Sequence, residues 1–598
     1  MIQSNKIDSV YKQNLLIILF ITTITFIANY VTNFNTILLP GVLITLYLLY
    51  KESITSFKPL ELIKYLLFII ATTILLNIKY IGNDLNFNII AWGDKSFYAQ
   101  VSAFINETGI ETYYFDYINT LNRKPIPYHY GENWLTILFS KIFRLNEFYA
   151  QELIATPFLV GTSLFFINNI YKRKGYYILN SLTFSLTTLF FTSLPLLDYS
   201  SIPWLGDMII QFQIDPLSYN KHLFSITLLS FFFDSISANN WKVSSVSVII
   251  ALFSFLCCIS FINILIVSIL LYVFDKNISI KEKILIVFIV IICVLYFIYF
   301  YFIQTSIEVS SNYNATDLSF FNNCINPTIY FRTISNIIGK SILQIVLVYL
   351  PVILYIMFNI KRIYVNQIHL LILTVSILLT GLALWAIMWL SIGSISLFID
   401  ASFWAFKLSL FLIFFIDIRD YYSFKKNFPI NKFSVFIAIL ILPSLYNLIK
   451  QNKSIEGEEF INLVEKISLK NKYPIIYIRV YNPNKSFYDK NLLAATSLGP
   501  ISNYNSKHHG IFVDIDNINY SKDCLILHRE QPLINSSCFV KYCKINKFKN
   551  YRYALSKIVK DYKIKYIIKD KDYNESIVSN LNTKKIYENA TTELLEII

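Results

Sequence analysis
Thirteen apolar stretches follow one another along most of the chain, near 14–31, 36–50, 60–78, 150–170, 176–195, 222–236, 242–258, 260–274, 284–303, 341–358, 366–390, 403–418 and 433–449. A bilayer crossing takes roughly 20 apolar residues, so these stretches predict transmembrane helices, several of them short. The first run is long, lacks a small-residue cleavage site and is followed at once by another, which predicts a retained span and not a cleaved leader. After 449 the pattern changes to short apolar runs between polar ones. Tyr473–Val480, Gly510–Ile515, Cys524–His528, Phe539–Ile545 and Lys563–Lys569 read as strands. Tyr551–Tyr562 reads as a helix with Tyr551, Leu555, Ile558 and Tyr562 on one face. The predicted architecture is an all-α polytopic bundle of about 13 transmembrane helices over residues 1–449, with a large first external loop at 79–149. A C-terminal extracytoplasmic α/β domain follows over 450–598.

Composition sharpens the class. Hydrophobic residues make up 55% of the 598 and charged residues 15%, against about 25% charge in soluble proteins. The mean hydropathy is +0.51. Gly (14) and Pro (16) are too few for collagen-like or Pro/Gly-rich disordered chains. Seven Cys show neither a disulfide framework nor zinc-ribbon spacing. From Lys450 onward there are 24 Lys+Arg and 16 Asp+Glu, so the tail supplies much of the net charge of +14. A basic domain beside a bilayer suits anionic headgroups or an acidic polymer, or is simply a solvated lysine-rich face. No nucleic-acid motif accompanies it.

Lys and Arg also set the orientation. With the N-terminus in the cytoplasm, the inside segments carry Lys6, Lys12, Lys51, Lys58, Lys172, Arg173, Lys174, Lys276, Lys281, Lys283, Lys361, Arg362, Arg419, Lys425, Lys426 and Lys432. The external loops near 79–149, 196–221, 304–340 and 391–402 are longer in total and hold about half as many basic residues. The tail then lies outside, in a multi-pass protein of the cytoplasmic (inner) membrane. The short inside connections leave no room for a nucleotide fold, and neither a Walker A sequence nor a G-x-G-x-x-G fingerprint occurs.

The strongest chemical signal lies in the first external loop. It reads Trp92-Gly93-Asp94-Lys95-Ser96-Phe97-Tyr98-Ala99, with Phe97, Tyr98, Val101, Phe104 and Ile105 at helical spacing and Gly109 at the C′ position. This predicts an amphipathic helix flat in the interface, with Asp94 at its N-cap facing water. A second segment, Pro125 to Phe143, places Tyr128, His129 and Glu132 before the apolar face Trp134, Leu135, Leu138, Phe139 and Ile142. Together the two form a shelf over the bundle. Each polar residue also has a plain role open to it. Asp94 is suited to a helix cap worth about 1 kcal/mol, His129 to a structural hydrogen bond, and Glu132 to charging the first turn of its helix.

This layout resembles the C-type (GT-C) integral-membrane glycosyltransferase superfamily, which includes protein O-mannosyltransferases and the aminoarabinose transferase of lipid A. The resemblance rests on the D-x-x-x-Y-A form at Asp94–Ala99, the helix ending in Gly109 and the Pro- and His/Tyr-bearing turn that follows. It implies a GT-C-like fold, a polyprenyl-phosphate-linked sugar donor, and a glycan, lipid or protein acceptor on the outer side. It also implies that the first-loop acid, here Asp94, acts at the acceptor. The chain departs from the superfamily in placing this loop after the third predicted span, where the first is usual. A second acidic motif is not evident; Asp116 lies in the same loop, and Asp207, Asp215 and Asp317 are candidates in later ones.

The lipid phosphate leaving group calls for cations at the outer boundary. Lys221 and His222 open a span after a polar loop, and Arg332 lies in the 304–340 loop. Lys95 adjoins Asp94. Lys407, inside an apolar stretch, is either a functional cation or one that snorkels to the outer headgroups. Trp385 and Trp389 suit an aromatic belt. His508, His509, Cys524, His528, Cys538 and Cys543 in the tail lack metal-ligand spacing, so no metal site is expected there; no cofactor is called for elsewhere, and a divalent metal stays open without a residue pattern to support it. Cys538 and Cys543 suit a disulfide only in an oxidising compartment. Asn491–Pro500 reads as a helix end and turn.

The sequence therefore points to transfer of a sugar in cell-envelope or surface-glycan synthesis. A polysaccharide polymerase or ligase, a lipid-linked-glycan transporter or flippase, and an inactive assembly scaffold are the rivals. The predicted orientation has a direct test in a background freed of native cysteines. A cysteine at Lys585 should react with an impermeant maleimide in intact cells, and one at Lys281 only after the membrane is opened; the reverse pattern inverts the topology.

Overall fold
The computed structural model describes residues 2–33, 59–77, 130–145, 147–191, 222–239, 241–303, 345–392, 397–424, 565–570, 581–588 and 592–598. It also describes 475–479, 511–514 and scattered positions at 98–111, 339–343, 433–438 and 547–560. The helices are α1 (Ile2–Asn33), α2 (Pro59–Asn77), α3 (Gly131–Phe143), α4 (Thr156–Arg173), α5 (Ile178–Phe190), α6 (Leu223–Ala238), α7 (Ser245–Cys257) and α8 (Ile262–Phe274). They continue with α9 (Ile280–Ile298), α10 (Leu350–Phe358), α11 (Ile360–Ile392) and α12 (Leu397–Phe424). A π-helical turn, Ala150–Ala155, leads into α4, and another, Tyr299–Ile303, follows α9.

Among the described residues five helices are long and apolar enough to cross a membrane: Val10–Asn29, Pro59–Asn77, Ala150–Arg173, Ile280–Tyr301 and Ile360–Leu384. α5, α6, α7 and α8 are shorter, at 13 to 16 residues, or about 20–24 Å at 1.5 Å per residue. The expected 13 full spans are therefore not reproduced as such. The stretch at 36–50 lies outside the described residues, and 433–449 is described only at its start. α6 explains how a short apolar helix fits here. Every residue from Leu223 to Ser237 is buried, so its neighbours, not lipid, surround it.

Lipid-facing surface appears on other helices. On α9, Ile284, Leu285, Phe288, Ile291, Ile292 and Leu295 are exposed on the outside of the bundle. α2 presents Leu60, Ile63, Leu66, Leu67, Ile70 and Ile74 in the same way. Apolar faces of this extent suit hydrocarbon and not water.

Polar groups inside the bundle are tied within it, as a low-dielectric interior requires. Thr22, Thr23 and Thr25 donate to carbonyls four residues back. Tyr65 Oη meets Thr162 Oγ1 at 2.9 Å between α2 and α4, and Ser163 meets Thr227 at 3.0 Å between α4 and α6. At one end of the bundle Arg173 pairs with Asp234, which also accepts from Asn14 at 2.9 Å. There too Tyr11 reaches Ser235 at 3.1 Å, and Arg362 Nε donates to Asp417 at 2.9 Å, beside Tyr355. These residues come from segment ends that the charge pattern assigned to one side.

Two helices outrun their apolar stretches. α11 begins at Ile360, not 366, with a kink at Gln367 (φ −139°, ψ 30°). α12 runs over Leu397–Phe424 where 403–418 was expected, so part of the 391–402 loop is helix. Apolarity marks only the hydrocarbon crossing; on α11 the added first turns hold Arg362, which pairs with Asp417 of α12. α11 and α12 meet at Gly381, where an added Cβ would collide with the Ser402 side chain. Ser402 in turn accepts from Asn263 Nδ2 at 2.6 Å.

The tail forms a five-stranded sheet, β1 (Ile475–Arg479), β2 (Ile511–Asp514), β3 (Tyr566–Asp570), β4 (Thr583–Glu588) and β5 (Thr592–Ile597), in the order β2-β1-β3-β5-β4. β1 pairs parallel with β2 and β3, and β5 runs antiparallel to β3 and β4. Three expected strands appear as β1, β2 and β3. Cys524–His528 and Phe539–Ile545 lie outside the described residues. The β4–β5 hairpin was not expected. Its charged edge strand, with Lys585 bonded to Glu588 at 2.6 Å, hides the alternation that marks a half-buried strand. Within Tyr551–Tyr562 the described positions are helical.

The Gly381 crossing sets a prediction. Gly381→Leu should prevent close packing of α11 on α12 and cost at least the 1–3 kcal/mol of an overpacked core. Fluorescence-detected size exclusion after heating should show a lower midpoint, whereas Leu379→Ala on the exposed face should leave it nearly unchanged.

Candidate functional site
The described parts of residues 98–111 and 130–143 come together at one end of the bundle. Tyr98, Ala99, Val101, Ser102, Ile105 and Asn106 are helical, and Gly109 follows with φ 70°, its N–H reaching Ile105 O at 2.8 Å. The left-handed cap is the one expected at this glycine. Tyr98, Val101 and Ile105 are buried, as their spacing implied, but Ala99 and Ser102 are buried as well. The segment is thus enclosed by protein on more than one face and does not lie flat on lipid. Its Ser102 Oγ donates to Asn133 Oδ1 of α3 at 3.0 Å, and Asn106 Nδ2 donates to Glu147 at 2.8 Å. Burial pushes the Glu147 carboxyl up, opposed by Asn106.

At the start of α3, Gly131 packs against Phe224. A Cβ there would stand 2.8 Å from the Phe224 ring. Trp134 and Leu135 are buried as expected, Leu138 and Phe139 are half-buried, and Ile142 is exposed. The expected apolar face is therefore rotated at its C-terminal end. Glu132, in the first turn, is 3% exposed. Its Oε1 has no hydrogen-bond partner among the described residues. Desolvation pushes its carboxyl well above the ordinary range, against backbone N–H groups that include that of Phe224. Such a group is more than a solvated charge on a helix terminus.

Around Glu132 the starts of α3 and α6 meet the end of α7. Tyr130 N–H donates to Cys257 O at 3.0 Å. His222 immediately precedes α6, is fully buried, and has Nδ1 3.5 Å from Cys258 Sγ. Among the described residues no group of three or more His, Cys, Asp or Glu is placed to hold a metal.

Glu111 was not singled out by sequence reasoning. It accepts from Asn29 Nδ2 at 2.5 Å, Trp134 Nε1 at 2.9 Å and Tyr301 Oη at 2.5 Å. One carboxylate thereby links α1, α3 and the π-helical turn after α9. The only sequence signal was an acid two residues beyond a helix-ending glycine, and its three donors lie 82, 23 and 190 positions away.

Lys407 is fully buried. Its Nζ donates to Leu189 O at 2.8 Å and stands 5.0 Å from the Trp404 ring centroid. It does not snorkel; it satisfies a carbonyl of the last turn of α5, where a cation also opposes the helix dipole. Of the other candidates, Asp94, Lys95, Tyr128, His129, Lys221 and Arg332 lie outside the described residues, as do Asp116, Asp207, Asp215 and Asp317. The tail's His508, His509, Cys524, His528, Cys538 and Cys543, and Asn491–Pro500, also lie outside them. The structure thus brings Glu132 and His222 to adjoining helix starts and gives Lys407 a separate role.

No family model matches the chain, and no curated protein does. Among solved structures it is similar to ArnT from Cupriavidus metallidurans in the apo state, with TM-score 0.45 and 10% identity over 89% of this chain and 97% of that one. The same protein bound to undecaprenyl phosphate gives TM-score 0.44 and 11% identity over 89% and 98%. A likeness of that degree leaves activity and substrate to the residues of the chain itself.

The two buried acids should behave differently on substitution. Glu111→Ala leaves the Asn29, Trp134 and Tyr301 donors without their acceptor and should cost about 3 kcal/mol or more, read as a lower thermal midpoint in detergent. Glu132→Gln removes a carboxyl whose raised pKa makes the folded state hold a proton that the unfolded state releases above about pH 4.3. Stability of the parent should therefore fall as pH rises from there, and Glu132→Gln should flatten that slope.

Proposed function
We propose that this chain is a membrane glycosyltransferase. It moves a sugar from a polyprenyl-phosphate carrier to an acceptor hydroxyl on the outer side of the cytoplasmic membrane, in cell-envelope or surface-glycan synthesis. The observation that carries this reading is the Ser102–Asn133 hydrogen bond. It joins the segment that follows Trp92-Gly93-Asp94 to the one that follows Tyr128-His129-Tyr130. The chain segments that carry the two motifs are thereby tied to each other at Ser102 and Asn133, which supports their acting together.

In this reading Asp94 takes the proton of the acceptor hydroxyl as its oxygen attacks the anomeric carbon. The bond from that carbon to the phosphate oxygen breaks, and the lipid phosphate leaves with both electrons. An exposed aspartate has a pKa near 3.9 and is a weak base at neutral pH, so positioning of the acceptor supplies much of the rate. Lys95, Lys221 and Arg332 oppose the charge that develops on the phosphate. Tyr128 and His129 contact the substrates. Glu132 and His222, buried at adjoining helix starts, serve the same substrates. Lys407 acts one step back, by holding the end of α5.

Asp94→Asn keeps the shape and removes the base. In membranes supplied with lipid-linked sugar, its transfer rate should drop by about 10²–10⁴-fold, the usual contribution of a general base, with normal insertion. Transfer at the parental rate removes Asp94 from that role. Movement of intact lipid-linked glycan across vesicles without glycosidic bond formation would instead identify a transporter.

A further inference from the structure
The opposite end of the bundle holds a guanidinium only partly used by its ion pair. Arg173 ends α4, and its side chain is 6% exposed. Its Nη2 serves Asp234, both carboxylate and main-chain carbonyl. Its Nε and Nη1 have no hydrogen-bond partner among the described residues. Three of the five N–H donors of an arginine therefore stand desolvated and uncommitted. A donor in that state favours an acceptor of full negative charge.

The surroundings say which acceptor. Lys172 is exposed on the same turn, with Lys64 and Glu61 of α2 within Coulombic reach. Lys174 lies on the other side of Arg173, 5.1 Å from the Trp241 ring centroid and facing Asp420. Arg419 stands over the Tyr176 ring at 5.8 Å. The carboxylates here are already engaged: Asp234 with Arg173, Glu61 with Lys64 at 2.6 Å, and Asp420 beside Lys174 and Arg419. Lys172 remains as a cation without an ion pair among the described residues. Beside this basic end runs the exposed apolar face of α2, which packs on α4 where Gly161 meets Ile69 and Thr72. An acyl chain along Leu60, Ile63, Leu67 and Ile70 would bring its headgroup to Lys172 and Arg173.

We infer that the Lys172–Arg173–Lys174 turn and the adjoining face of α2 form a binding site for an anionic phospholipid. Its phosphate would be received by Arg173 Nε and Nη1 and drawn in by Lys172. Basic pockets between helices on the cytoplasmic side are suited to such headgroups. The site stands at the other end of the bundle from Glu132 and His222 and does not rest on the glycosyltransferase reading.

The test uses the full chain in nanodiscs of phosphatidylcholine alone, of equal parts phosphatidylcholine and phosphatidylglycerol, and of phosphatidylcholine with added inorganic phosphate. Ligand that binds only the folded state raises its thermal midpoint. Wild type should rise with phosphatidylglycerol and not with inorganic phosphate. Arg173→Lys, which keeps a charge opposite Asp234 but removes the Nε and Nη1 donors, should lose most of that rise. Lys172→Gln, an exposed change that leaves the ion pair intact, should reduce it and should retain less phosphatidylglycerol in native mass spectrometry. An equal rise with inorganic phosphate assigns the site to a soluble phosphate compound and overturns the lipid. An unchanged rise in Arg173→Lys overturns the role of the guanidinium. If Arg173→Lys does not fold, equal lipid retention by wild type and Lys172→Gln overturns the site.

Discussion
Asp234 sits at the end of a helix with no exposed face, and the bundle is organised around satisfying it. Arg173 neutralises it and Asn14 donates to its second oxygen, while Asn169 in turn donates to Asn14 at 3.0 Å. α1, α4 and α6 are thereby fixed in rotation and height. Removing one partner of a buried pair typically costs 3–5 kcal/mol, because the other charge is left uncompensated. An apolar layer supplies little direction of its own, since lipid is as apolar as leucine. Polar ties at the helix ends supply the direction.

The same constraint acts at the other end, where Glu111 gathers three donors from three parts of the chain. With both ends pinned, short helices such as α6 and α7 need not match the bilayer thickness themselves. The two segments that meet at Ser102 and Asn133 inherit this rigidity. Ser102 is held against Asn133, and Trp134 of the same helix is held by Glu111. Side chains on these segments, Glu132 among them, are positioned by packed helices and not by loop conformation.

Lys407 and Arg173 show how similar cations in similar sequence settings part ways. Both lie in or beside apolar runs. Lys407 finds a helix-end carbonyl and is fully buried with it. Arg173 finds a carboxylate but has more donors than that partner can take. The difference follows from donor number: an ammonium has three rotatable donors on a point charge, a guanidinium five in a fixed plane.

Much of the plan was legible in the chain. Hydropathy gave the apolar helices, and the spacing of Tyr98, Val101 and Ile105 before Gly109 gave a capped helix, because helical period and left-handed glycine are local properties. The sheet's three parallel strands were legible for the same reason. The burial of Glu132 and Ser102, the three donors on Glu111 and the carbonyl under Lys407 were not. Neither was the reach of α11 and α12 beyond their apolar runs. Each depends on how a helix is rotated and on residues far apart in the chain, such as Lys407 and Leu189, 218 positions apart. Local pattern fixes which face of a segment is apolar, but only packing decides which polar group that face brings to which partner, since that pairing is set by the sum of many weak contacts across the whole bundle.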